Sequence, residues 1–208
     1  MSEYYIPTGP GEAEFTEKRS RFLGHVRVVE SEDEARAFIA DMKKKYYDAR
    51  HNCWCYSIKD GPERYSDDGE PQGSAGIPML EVLRRQNVTN AVCVVTRYFG
   101  GVLLGTGGLL RAYTKSTADA LEAAGISAVR RWVETELPCT YAQLERMKQE
   151  AASAGGIVED VEYGAGVTLR VMVPEEQSED FAARIFDRTA GSVTVRVTGE
   201  SFRAVPLR

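Results

Sequence analysis

The chain has 208 residues, 43% hydrophobic, 27% charged and 9% aromatic, a balance that fits one or two globular domains and excludes a disordered chain. No apolar run approaches the ~20 residues that span a bilayer, so no membrane partner is expected. Net charge is −5; residues 1–128 hold 16 Lys and Arg against 18 Asp and Glu, and residues 129–208 hold 10 against 13. Neither half is basic, so a duplex-DNA coat is not expected and any nucleic-acid contact must come from a local patch.

In chain order, residues 1–14 are rich in Pro, Gly and Glu and read as a loose tail or edge segment. Met1–Gly11 carries no basic-then-apolar leader. Arg21–Val29 reads as a strand through Phe22, Val26 and Val28. Ser31 and Glu34 form a capping box that opens a helix through Ala35, Phe38, Ile39, Met42 and Tyr46; Lys43–Lys45 read as its solvated end. His51–Lys59 alternates, with Trp54, Tyr56 and Ile58 on one side and Cys53, Cys55 and Ser57 on the other. Asp60-Gly61-Pro62 turns the chain so that Glu63–Ser66 pairs back. Asp67–Gly76 is a loop and Ile77–Gln86 a helix with Pro78 in its first turn. Ala91–Thr96 is a strand buried on both faces. Gly100–Gly108 is a glycine loop, and Leu109–Ala124 a helix with Leu110, Tyr113, Thr117, Ala120, Leu121 and Ala124 inward, stopped by Gly125.

The second half has a different grain. Arg131–Pro138 reads as a strand, Tyr141–Ala154 as a helix, Val158–Tyr163 and Val167–Val173 as strands, Glu175–Thr189 as a helix facing inward through Phe181, Ile185 and Phe186, and Ser192–Val205 as a strand. The order β-α-β-β-α-β is the ferredoxin-like pattern. The boundary is placed at 128/129, inside Ser127–Arg130. Cys53, Cys55, Cys93 and Cys139 suit a reduced, cytoplasmic setting.

Two segments are poor choices for merely building a fold. Arg64–Gly76 places Asp67, Asp68 and Glu70 within four residues, ahead of three small residues that lead into a helix. Thr96–Tyr113 leaves a buried strand and passes Gly100, Gly101, Gly105, Gly107 and Gly108 before a helix. Such a loop presents backbone N–H groups at the positive helix end, a physical anion site. Arg97 and Arg111 flank it as phosphate contacts; Tyr98, Phe99 and Tyr113 are candidates to stack a base. A plain glycine turn explains the same residues, since neither GxGxxG nor a Walker A loop is present. The three acids equally fit a solvated turn, internal partners for Arg64, Arg97 and Arg111, or an oxygen-rich Mg²⁺ or Ca²⁺ site with His51. His51, Cys53 and Cys55 lack a fourth zinc ligand, and a Cys53–His51 nucleophile lacks an orienting third group. No catalytic residue, metal or cofactor is assigned.

At these segments the chain resembles the IMPACT family, whose bacterial members are the YigZ-like proteins. The resemblance extends to His51-Asn52-Cys53, like the family's H-x-C strand, and to Arg19-Ser20-Arg21-Phe22, like its K-S-x-F strand with Arg19 for lysine. Ser74 stands for the threonine of the G-T-A-G step. It covers roughly residues 15–125 by motif and the remainder by pattern. The resemblance implies an α+β fold: a ribosomal protein S5 domain 2-like domain, 1–128, with a left-handed β-α-β unit, then a ferredoxin-like domain, 129–208, akin to the last domain of the translocation elongation factor. It also implies translation regulation through protein contacts; the separate RWD-type partner-binding domain of eukaryotic relatives is not expected in a chain of this length. The leading expectation is a non-catalytic, translation-associated protein that binds RNA or the ribosome. Its site would comprise Arg64, Asp67, Asp68, Glu70, Arg97, Tyr98, Gly100, Gly101, Gly105, Gly107, Gly108, Arg111 and Tyr113. The alternatives are an enzyme acting on a phosphorylated small molecule or nucleotide, and a module that binds a regulatory protein in a stress response.

Overall fold

A computed structural model describes residues 3–207. Contacts divide the described residues into two compact units: Tyr4–Val129 with residues 204–207, and Arg130–Arg203 with Glu3. The first is built on a sheet of β2 (Gly11–Glu17), β3 (Ser20–Val28), β4 (His51–Ser57), β5 (Glu63–Ser66) and β6 (Ala91–Tyr98), in the order β2-β3-β6-β4-β5. Every neighbouring pair is antiparallel. β3 and β4 therefore run parallel with β6 between them, and α1 (Glu32–Lys45) crosses from one to the other, the split β-α-β of an S5 domain 2-like fold. A short β1 (Tyr4–Pro7) pairs with the start of β7 (Ile126–Cys139), Tyr4 opposite Val129 and Pro7 opposite Ile126.

Side-chain alternation along β6 decides what covers each face. Cys93 and Val95 join Phe22, Cys53 and Cys55 beneath α2 (Gly76–Arg85) and α3 (Thr106–Ala124), where Met79, Leu83, Leu109 and Tyr113 complete the core. Val92 and Val94 join Tyr56 beneath Ala35 and Ile39 of α1 on the other face. The α3 backbone lies close on the edge of the sheet. A Cβ on Gly24 would fall 2.5 Å from the Ser116 carbonyl oxygen, and one on Gly11 2.1 Å from that of Ala120, so only glycine admits the helix there.

The second unit runs β7, α4 (Leu144–Ser153), β8 (Ile157–Tyr163), β9 (Val167–Pro174), α5 (Glu175–Arg188) and β10 (Arg196–Pro206). Its sheet order, β10-β7-β9-β8, is the 4-1-3-2 arrangement of a ferredoxin-like domain. Met147, Ala151, Phe181 and Ile185 pack on Leu137, Leu169, Val171 and Val173. Arg170 reaches Glu136 at 3.1 Å, Asp160 at 3.3 Å and Glu162 at 3.4 Å, so this arginine is neutralised within its own unit.

Several sequence expectations need correction. Of the two readings of residues 1–14, the edge segment holds and the loose tail does not: β2 is the edge strand of its sheet and β1 pairs with β7, while Met1 and Ser2 lie outside the described residues. Ser31 Oγ accepts the Glu34 N–H at 3.2 Å as expected, but the Glu34 carboxylate accepts the N–H of Glu30 at 2.8 Å, one residue before the cap. α3 begins at Thr106, so Gly107 and Gly108 are helical, and Leu110 is 45% exposed rather than inward. Phe186 is also exposed. β7 begins at Ile126 rather than at the expected Arg131.

Candidate functional site

The two singled-out segments do meet, through Glu70. β6 carries Arg97 opposite Phe22 of β3 and His51 of β4, and the guanidinium turns inward. Glu70 Oε1 accepts hydrogen bonds from Arg97 Nη1 and from the Tyr113 hydroxyl, each at 2.7 Å. Side-chain exposure is 6% for Arg97 and 3% for Glu70. Arg97 also lies over Phe22 and Phe99, with centroid distances of 5.6 and 5.5 Å, and donates to Ser20 Oγ at 3.3 Å. Phe22 packs edge-on against Tyr113 at 5.4 Å. Burial, and then the neighbouring Cys53 and Glu70, push the Tyr113 hydroxyl far above its usual range. Tyr113 is fully buried and presents no face to a base. Arg97, Glu70 and Tyr113 thus form an internal triad: the reading of the acids as internal partners holds for Glu70 with Arg97, while the expectations that Arg97 grips phosphate and Tyr113 stacks a base are corrected.

The other acids organise the loop. Asp67 accepts three backbone N–H bonds, from Gly73 at 2.9 Å, Ala75 at 3.1 Å and Gly76 at 2.8 Å, which ties the loop to the start of α2. Asp68 accepts from Lys43 Nζ at 2.6 Å and the Asn52 N–H at 2.7 Å, so Lys43 is not merely a solvated helix end. Asp68 holds a left-handed φ of 43°, and its carbonyl lies 2.9 Å from His51 Nδ1. The Cys53 thiol donates to the Asp67 carbonyl at 3.0 Å; burial pushes its pKa well up, which opposes a thiolate nucleophile. Among the described residues no three His, Cys, Asp or Glu side chains converge to hold a metal ion.

What remains open to solvent is the turn itself. Gly100 passes beneath the β2–β3 turn, where a Cβ would fall 2.0 Å from the Arg19 carbonyl, and its N–H reaches Ser20 Oγ at 3.3 Å. The turn runs through Gly101 (φ 83°) and caps α3 with Gly105 (φ 74°). A cavity of about 460 Å³ opens here, lined by Arg50, His51, Glu70, Arg97, Phe99 and Leu103 together with Gly105 and Thr106 at the start of α3. Phe99 is 45% and Leu103 81% exposed. Tyr98 and Arg64 are absent from this lining; the Tyr98 hydroxyl donates to Asp48 at 2.8 Å, and the exposed Arg64 donates to the Glu63 carbonyl at 3.1 Å. Arg111, Gly107 and Gly108 are absent from this lining; Arg111 faces different cavities, beside Gly73 and Leu110 and beside Lys18 and Gly108.

Sequence reasoning missed Arg50, Ser20 and Leu103. Arg50 adjoins the quoted His51 strand and Ser20 lies within the quoted Arg19–Phe22 run, so both were adjacent to signals already noted. Leu103 carried no signal except an apolar side chain in a glycine loop.

Residues 18–121 match the model of the Impact N-terminal domain, and residues 137–192 match a domain of unknown function, DUF1949. The IMPACT family member YvyE of Bacillus subtilis (strain 168) is 34% identical over 198 residues, 94% of this chain and 91% of that protein. The IMPACT family member YigZ of Escherichia coli (strain K12) is 34% identical over 197 residues, 93% and 97% respectively. A solved structure titled "Crystal structure of an hypothetical protein" superposes with a TM-score of 0.60 at 33% identity, covering 96% of this chain and 98% of that one. With its first domain model and near full-length relatives in agreement, the chain belongs to the IMPACT family.

Proposed function

We propose that this protein is a non-catalytic, translation-associated RNA-binding protein whose contact surface is the mouth of the cavity at the start of α3. The observation that carries the reading is the meeting there of the Gly105–Thr106 helix start, an arginine with no acidic partner, and exposed Phe99 and Leu103. First-turn helix N–H groups have no intrahelical acceptor and favour phosphate. Arg50 makes no ion pair among the described residues and can grip a phosphate through its planar fork. Phe99 offers a ring face for an unpaired base. The site is concave and local, in keeping with a chain of net charge −5: it suits a single strand or loop rather than a long duplex. The groups present support the non-catalytic reading. The acids already accept backbone, lysine, arginine or tyrosine hydrogens, and Cys53 is a buried thiol.

The test is fluorescence anisotropy with labelled single-stranded RNA oligonucleotides over a salt series. Arg50→Ala should weaken binding and lower the salt slope by about one; Phe99→Ala should remove roughly 1–3 kcal/mol of stacking. RNA affinity unchanged in both variants across salt would overturn the proposal. Thermal stabilisation by mononucleotides, with none by RNA, would favour a small phosphorylated ligand in the same cavity.

A further inference from the structure

Away from that cavity, α2 and α3 pack side by side and leave a groove of about 380 Å³ between them. Its walls are apolar. Ile77 of α2 is 39% exposed and Leu110 of α3 is 45% exposed, with Val82 buried between them. An inward-facing helix normally turns such side chains to the core; here both open onto one groove.

The charges on the rim are unequal. Glu81 accepts from Arg84 Nη1 at 2.6 Å, and Lys115 donates to Asp119 at 2.6 Å, so each is paired on its own helix. Arg85 and Arg111, one on each helix, line the groove and meet no carboxylate among the described residues. Among the described residues Arg19, Arg27, Arg50 and Arg64 of this unit also make no ion pair; what sets Arg85 and Arg111 apart is that both line one apolar groove. Two unpaired arginines facing one apolar groove in an acidic protein define a complementary partner: apolar in the middle and negative at the edges.

We infer that the α2–α3 groove is a docking site for an acidic amphipathic segment of a partner protein, its apolar side chains on Ile77 and Leu110 and its carboxylates on Arg85 and Arg111. A groove between two packed helices is a common seat for such a segment, and Arg–carboxylate pairs fix its register. The walls hold no aromatic ring on which a base would stack, which favours peptide over RNA. This site is separate from the RNA surface and uses none of its residues, so either can fail without the other.

The test is to pan a random twelve-residue peptide library displayed on phage against the full chain, then synthesise enriched peptides and measure their anisotropy. Enriched sequences should place Asp or Glu around Leu, Ile, Phe or Met. The double variant Arg85→Glu/Arg111→Glu and, separately, Leu110→Ser should each bind them at least tenfold more weakly, while Arg50→Ala should bind as the parent does. Peptides with Lys in place of the acids should recover binding to the charge-reversed variant. All four substituted positions are exposed, and circular dichroism melts confirm folding before binding is compared. No enrichment, enriched peptides without acids, unchanged affinity in the double variant, or displacement of the peptides by single-stranded RNA would each overturn the inference.

Discussion

Glu70 Oε1 and Arg97 Nη1 lie 2.7 Å apart with both side chains nearly out of water, so the two halves of the site are joined by an ion pair that belongs to the interior. Breaking such a pair from one side leaves a buried charge without compensation, at a cost of about 3–5 kcal/mol. Glu70→Ala should therefore be strongly destabilised in urea. The double variant Glu70→Leu/Arg97→Met should regain most of that loss, because removal of both charges also removes their desolvation penalty. A double variant no more stable than Glu70→Ala would refute this account of the triad.

Asp67 acts as a backbone acceptor. Asp67→Ala leaves the N–H groups of Gly73, Ala75 and Gly76 without their acceptor, at about 1–3 kcal/mol for each that water cannot reach. Hydrogen exchange should accelerate at these three amides first. Equal acceleration throughout α2 and α3 would instead indicate global loosening.

Gly100 in the turn and Gly107 in α3 should separate sharply. Gly100→Ala drives a Cβ into the Arg19 backbone and should cost about 1–3 kcal/mol. Gly107 is helical, and a Cβ there would meet only Arg111 Nη1 at 3.7 Å. Gly107→Ala should leave stability unchanged or raise it by up to about 1 kcal/mol. Chemical denaturation of both variants provides the comparison, and a costly Gly107→Ala would contradict the described start of α3.

His25 makes stability pH-dependent. It is buried, and desolvation holds its pKa below 6.5 against the opposing pull of Glu12, whose carboxylate lies 3.3 Å from Nδ1; Lys45 lowers it further, and the Tyr46 ring packs beside it. The folded protein thus binds fewer protons here than the unfolded chain. The contribution is full above about pH 6.5 and is lost as pH falls toward the depressed folded value. His25→Gln should flatten the stability slope between about pH 5 and 7 relative to the parent; parallel slopes in the two proteins would exclude His25 as the cause.

Thiol chemistry offers a further check. Burial raises the pKa of Cys53, Cys55 and Cys139, and all four cysteines are free and buried. A colorimetric disulfide reagent at neutral pH should label none in the native protein and four after denaturation. Rapid native labelling of any one would show that its burial is transient.

The regular elements were legible because their periods are strong. Trp54, Tyr56 and Ile58 against Cys53 and Cys55 is a clean period of two, and each set packs on the face it implied. The ferredoxin-like order was likewise readable from its turns. β1 was hidden because its partner β7 is more than a hundred residues away, and β2 because its two-residue turn into β3 is Lys18-Arg19, both at positive φ without the Asn or Gly that usually signals a hairpin. The start of α3 was misplaced because Gly107 and Gly108 are poor helix formers. The site was half legible: its two segments stood out by residue type. Whether Arg97 and Tyr113 face water depends on Glu70, 27 and 43 positions away, and no local pattern encodes that.

The chain's end from Ala204 returns to the first unit, where the Leu207 N–H bonds the Ile126 carbonyl at 2.8 Å. The ferredoxin-like unit is therefore an insertion held at both ends. A protease that nicks the Gly164–Gly166 turn cannot release it; two cuts, near Arg130 and near Arg203, are needed. A chain ended after Val129 would also lose that closing strand, so the first unit is completed by residues synthesised after the second.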